Sequence, residues 1–97
     1  MKRVKTHTFK LGKYHIIEAN GLDGVTDCPD EDKWENCKHE MFILEGNSFA
    51  ALHCALHEAL HAEGVTDDYL HDKDGYADTY RLAKFLWRLG YRKECNV

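Results

Sequence analysis

A chain of 97 residues is long enough for one small domain and too short for two, so residues 1–97 are expected to form a single unit. Its 43% hydrophobic and 31% charged residues, with a single Pro, describe a folded globular chain and exclude a disordered tail. A net charge of −4 lacks the excess of Lys and Arg that nucleic-acid phosphates demand; no apolar run is long enough for a bilayer, and the start "MKRVKTHTFK" differs from a secretion signal, so no membrane partner and a cytoplasmic setting are expected.

Residues 4–19, "VKTHTFKLGKYHIIEA", place β-branched and aromatic residues on either side of Gly12-Lys13, which predicts two strands folded back at a glycine turn. From Asn20 to about Lys38 the chain reads as a solvated acidic loop. Its six acids do not follow the D-x-D-x-D-G spacing that wraps a backbone around calcium. The run "HEMFILEG", residues 39–46, is apolar and short, as a third strand should be. Cys28, Cys37, Cys54 and Cys95 match neither a redox nor a metal-knuckle spacing and are expected to be thiols in a reducing compartment.

The period then changes. "NSFAALHCALHEALHAEG" opens on the N-cap residues Asn47 and Ser48, continues through strong helix formers and ends at Gly64, predicting a helix over about 48–63. A polar connection, "VTDDYLHDKD", leads to a second helix entered from Asp74 and closed by Gly90. On that helix Leu82, Phe85, Leu86 and Leu89 recur at spacings of three and four, an apolar stripe expected to face the core. The fold class expected is α+β: two or three short antiparallel strands packed on two helices.

Within the first helix stands H-E-x-x-H. His57 and His61, four apart, rise one turn above each other on one face and can aim both rings at a common point. Glu58 is rotated by about a hundred degrees from His57, too far to be an equivalent ligand but well sited to reach a water on the metal. The spacing therefore predicts a metal site in which His57 and His61 hold Zn2+ and Glu58 takes the proton of the zinc-bound water. With seven histidines in the chain, a chance pair at this spacing is the bland alternative. His53 extends the series, yet two turns from His61 it has a poor reach for a shared tetrahedral ion.

A catalytic zinc also takes a third protein ligand. The metzincin extension H-E-x-x-H-x-x-G-x-x-H would require His where the chain has Asp67, which disfavours that subclass. Stepping back four residues from Leu82 lands on Asp78, and an aspartate on a core-facing side is costly unless a cation meets it. Asp78 is therefore the expected third ligand. His71, in the connection, competes, as do Asp74, which an N-cap role also explains, and Asp68.

"LHEALHA", followed by a short acidic linker and "AKFLWRLGYR", resembles a group of small phage and bacterial proteins that are themselves similar to minimal zincin metallopeptidases of the gluzincin type. The likeness spans roughly residues 21–92 and is specific at the two quoted blocks. It implies a small zincin core in which His57 and His61 match the zinc ligands and Glu58 the general base, in the cytoplasm of a bacterial or phage-infected cell. Gluzincins supply Glu as third ligand. The second helix, 75–89, contains none, so Asp78 would have to stand in.

Two functions follow. The first is a zinc peptidase acting on an extended peptide or protein substrate paired to the edge of the "MFILEG" strand, with Tyr69, Tyr76 or Tyr91 as oxyanion donor. The second is an interaction module in which the metal is structural or absent, and Trp34, Trp87, Tyr80 and Tyr91 supply binding surface.

Overall fold

A computed structural model describes the backbone of residues 2–20, 25–26 and 39–93 and the side chains of residues 5–20 and 39–93. The elements run β1 (Lys2–Phe9), β2 (Gly12–Ala19), β3 (Val25–Thr26), β4 (Glu40–Leu44), α1 (Phe49–Ala62), α2 (Asp67–His71) and α3 (Lys73–Arg88). The chain is a small α+β protein with one mixed sheet, ordered β1-β2-β4-β3. Among the described residues no helix is long and apolar enough to cross a membrane.

The expected hairpin forms between β1 and β2, antiparallel, but its turn falls at Lys10–Leu11 and not at Gly12–Lys13. The cause is tertiary. The turn docks on the end of α1, where Leu11 N–H donates to the Ala62 carbonyl (3.0 Å) and Lys10 N–H to Glu63 Oε2 (2.9 Å). Leu11, an apolar residue at a turn, is buried there.

The strand expected at residues 39–46 is β4, yet it pairs with β2 in parallel, so the expectation of an antiparallel sheet is corrected. Parallel neighbours need a long return connection, and residues 20–38 supply it. Most of that expected loop, with Trp34, Cys28 and Cys37, lies outside the described residues; within it Val25–Thr26 forms β3, antiparallel to β4 at Met41 and Phe42. β4 therefore has neighbours on both sides and is not the sheet edge that substrate pairing was expected to use.

Because side chains alternate along a strand, Tyr14 and Ile16 of β2 and Met41 and Ile43 of β4 present one face to α1. Tyr14, Met41 and Ile43 form the core with Leu11 and Ala62, flanked by Phe9, Ile16, Cys54 and Ala55. Burial of a side chain the size of Met41 or Ile43 contributes about 1.5–3 kcal/mol. The Sγ of Cys54 accepts from Leu44 N–H (3.5 Å), tying α1 to β4.

α1 is bounded as expected. Ser48 is its N-cap, accepting from Ala51 N–H (3.1 Å). Gly64, with φ of +88°, ends it, and bonds from Gly64 N–H to the His61 carbonyl and from Val65 N–H to the Leu60 carbonyl complete a Schellman motif. Gly90 closes α3 in the same way, with bonds to the Trp87 and Leu86 carbonyls.

The connection between these helices is not the plain linker expected. Residues Asp67–His71 form α2, with Thr66 as N-cap, and α3 begins earlier than predicted, capped by Asp72 and not by Asp74. α3 is also rotated from its expected setting. Its buried residues are the small Gly75, Thr79 and Ala83, whereas Leu82, Phe85 and Leu89 are 55%, 59% and 60% exposed. The stripe read as core-facing points largely outward. α3 approaches α1 on its small-residue side, where Tyr76, Tyr80 and Trp87 bracket Phe49 and His53 edge-on.

Candidate metal centre

α1 carries His57 and His61 one turn apart, and the helix holds their rings together: Nε2 of His61 lies 3.1 Å from Nε2 of His57. α2 brings a third ring from outside the helix. His71, its last residue, sets Nε2 3.3 Å from Nε2 of His57, the two rings stacking at an interplanar angle of 10°. One nitrogen from each of the three residues falls within a span of 4.8 Å. The group runs from buried His61 through half-buried His57 to exposed His71.

These separations can be set against what a metal requires. Nitrogens bound tetrahedrally at about 2.0–2.1 Å from zinc stand about 3.3–3.4 Å apart. The two short distances match that spacing to within a few tenths of an ångström, and the donor set, three imidazoles, suits zinc. Three protein ligands also leave a fourth position for water or substrate, as catalytic sites do.

The group's electrostatics favour the lone pairs a metal needs. Burial, followed by the neighbouring rings of His61, His71 and His53, pushes His57 down to about 4, with Asp67 opposing. Burial also lowers His61, again against the pull of Asp67. Both imidazoles are thus neutral at neutral pH, which is the ligating form. Asp67 Oδ1 stands 3.1 Å from Nδ1 of His61, on the side of the ring away from His57. The contact lies off the line of a good hydrogen bond, since among the described residues Nδ1 has no partner that meets hydrogen-bond geometry. It is nevertheless the place where a carboxylate fixes the tautomer of a ligating histidine.

Among the residues predicted from sequence, His57 and His61 are brought together, and Glu58 lies buried beside them in α1, 4% exposed. The third member of the group is His71, not Asp78. The expectation for Asp78 rests on a core-facing Leu82 stripe; with that stripe turned outward, the carboxylate turns with it. It accepts from the Tyr69 phenol (2.5 Å) and pairs with Arg81, apart from the imidazoles.

Asp74 and Asp68 are exposed first-turn residues of α3 and α2 and stand outside the group. His53 packs among Phe49, Tyr76 and Tyr80. Tyr69, one of three expected oxyanion donors, already has its proton engaged by Asp78, which raises the phenol's pKa. The residue that sequence reasoning missed is Asp67, weighed only as the place of an absent histidine; the signal was an acid at the start of a capped turn, T-D-D, six residues past His61.

Comparison with known proteins returned no match from family models, from curated proteins or from solved structures.

Proposed function

We propose that this chain is a metal-dependent hydrolase, a peptidase of minimal zincin type, in which His57, His61 and His71 hold a zinc ion and Glu58 is the general base. The observation that carries the reading is that Nε2 of His57 lies 3.1 Å from Nε2 of His61, on the same H-E-x-x-H helix, and 3.3 Å from Nε2 of His71. A zinc ion bound there supplies Lewis acidity, polarising a carbonyl oxygen and making a water proton easier to remove.

The chain's own residues supply the rest. His57 and His61 are kept neutral by burial and so present lone pairs at neutral pH. Asp67 places a carboxylate oxygen 3.1 Å from the far nitrogen of His61. Glu58, the residue after His57, accepts the proton of the attacking water and returns it to the leaving amine. Exposed His71 marks the side of the group that is open to solvent.

The test separates the base from the ligands. Glu58→Gln should keep zinc and lose peptide hydrolysis, read on a casein or mixed-peptide substrate alongside metal content. Hydrolysis undiminished in Glu58→Gln would sink the assignment.

A second reading draws support from a different observation. Leu82, Phe85 and Leu89 form an exposed apolar face on α3, and such faces mark binding surfaces. On that reading the chain is a protein-interaction module and the metal is structural or absent; Glu58→Gln would then change neither metal content nor partner binding.

A further inference from the structure

The third ring of the histidine group is carried by the least self-sufficient element of the fold. α2 has five residues, far below the length at which a helix holds itself together in water. Its direction must come from what it touches. Leu70 is fully buried and anchors α2 in depth, but apolar burial is non-directional and does not fix rotation about the helix axis.

Rotation is fixed by contacts to α3. The Tyr69 phenol donates to Asp78 Oδ2, and Asp78 in turn is paired with Arg81 one turn along α3. At the other end of the same residue, the Tyr69 carbonyl accepts from Asp72 N–H (3.2 Å) and lies against Gly75 so closely that a Cβ there would come within 1.7 Å of it. Tyr69 is thus held at its backbone and at its phenol, and His71 follows it by two residues.

We propose that Tyr69 and Asp78 are positioning residues for His71: the hydrogen bond between α2 and α3 sets the rotation of α2 and so aims the third imidazole at the other two. The inference rests on the metal reading of the histidine group. It gives Asp78 a role at the centre without contact to the ion.

The experiment measures zinc affinity of the full chain by chelator competition, and the visible spectrum of its Co2+ form. Tyr69→Phe and Asp78→Ala should each weaken zinc about tenfold, in the range of lost outer partners of metal ligands. Their double variant should be no weaker than either single one, since both remove the same bond. Asp78→Asn, which keeps an acceptor for the phenol and loses the pair with Arg81, should fall between.

In a His71→Ala background Tyr69→Phe and Asp78→Ala should have no further effect, and the Co2+ spectrum of Tyr69→Phe should move toward that of His71→Ala. Unchanged zinc affinity in both single variants overturns the proposal. So does equal weakening with and without His71, the mark of a merely structural role. Zinc binding absent from the unmodified chain would instead overturn the metal reading, and this inference with it.

Discussion

The two halves of the histidine group are built by opposite means. α1 supplies His57 and His61 from a helix that declares itself locally, with Ser48 at one end, Gly64 at the other and strong helix formers between. α2 supplies His71 from five residues whose position depends on Leu70 in the core and on Gly75 and Asp78 of α3. Two converging imidazoles can therefore be encoded in one short stretch, while the approach of the third is a property of the tertiary fold. Disturbing α1 locally should loosen the fold and leave the pair's geometry; disturbing the α2–α3 contact should cost the third ring first.

The largest effect is expected at that contact. Gly75→Ala places a methyl within 1.7 Å of the Tyr69 carbonyl, backbone that cannot swing aside, so α2 and α3 must part. A loss of about 3 kcal/mol or more is expected in urea unfolding, with zinc affinity falling as His71 is carried away. Normal stability and normal zinc affinity together would break the contrast between the two halves.

Acid should act next, through α1. His57 ionises at about 4 in the folded chain against 6.5 ordinarily, so between those values protons bind the unfolded chain more than the folded one. The metal-free protein should therefore lose stability as pH falls from about 6.5 to about 4, and His57→Gln should flatten that part of the profile. A profile unchanged by His57→Gln would contradict the assignment.

Ser48→Ala removes the N-cap bond of α1 and should cost about 1 kcal/mol, without a change in zinc affinity once the protein is folded. The smallest effect is expected on the outward stripe of α3. Phe85→Ser changes a side chain that is 59% exposed and should shift stability by no more than about 0.5 kcal/mol. A cost of several kcal/mol there would restore the core-facing stripe and, with it, the case for Asp78 as ligand.

The same contrast explains what could be read from the sequence. α1, its caps and the pairing of His57 with His61 follow from local rules and were legible, as were the existence of the β1–β2 hairpin and the strand at β4. α2 was not, because five residues are too few to show a period, and a turn that begins with Thr66 and two acids reads equally well as a loop. The hairpin turn was misplaced because the glycine rule yields to the docking of Leu11 on the end of α1.

The rotation of α3 was misjudged for a different reason. Periodicity gives the width of an apolar face but not which face a neighbour chooses, and close approach on Gly75, Thr79 and Ala83 outweighed the larger residues. That single inversion sets Asp78 apart from the imidazoles, with His71 as the third ring of the group.

The central claim is that three imidazoles from α1 and α2 share one metal ion. It is tested most directly by the zinc content of the purified chain beside His57→Ala and His71→Ala, with folding of each checked by circular dichroism. The account predicts stoichiometric zinc in the unaltered protein and a loss in both variants. Zinc held equally by all three, or by none, would contradict it.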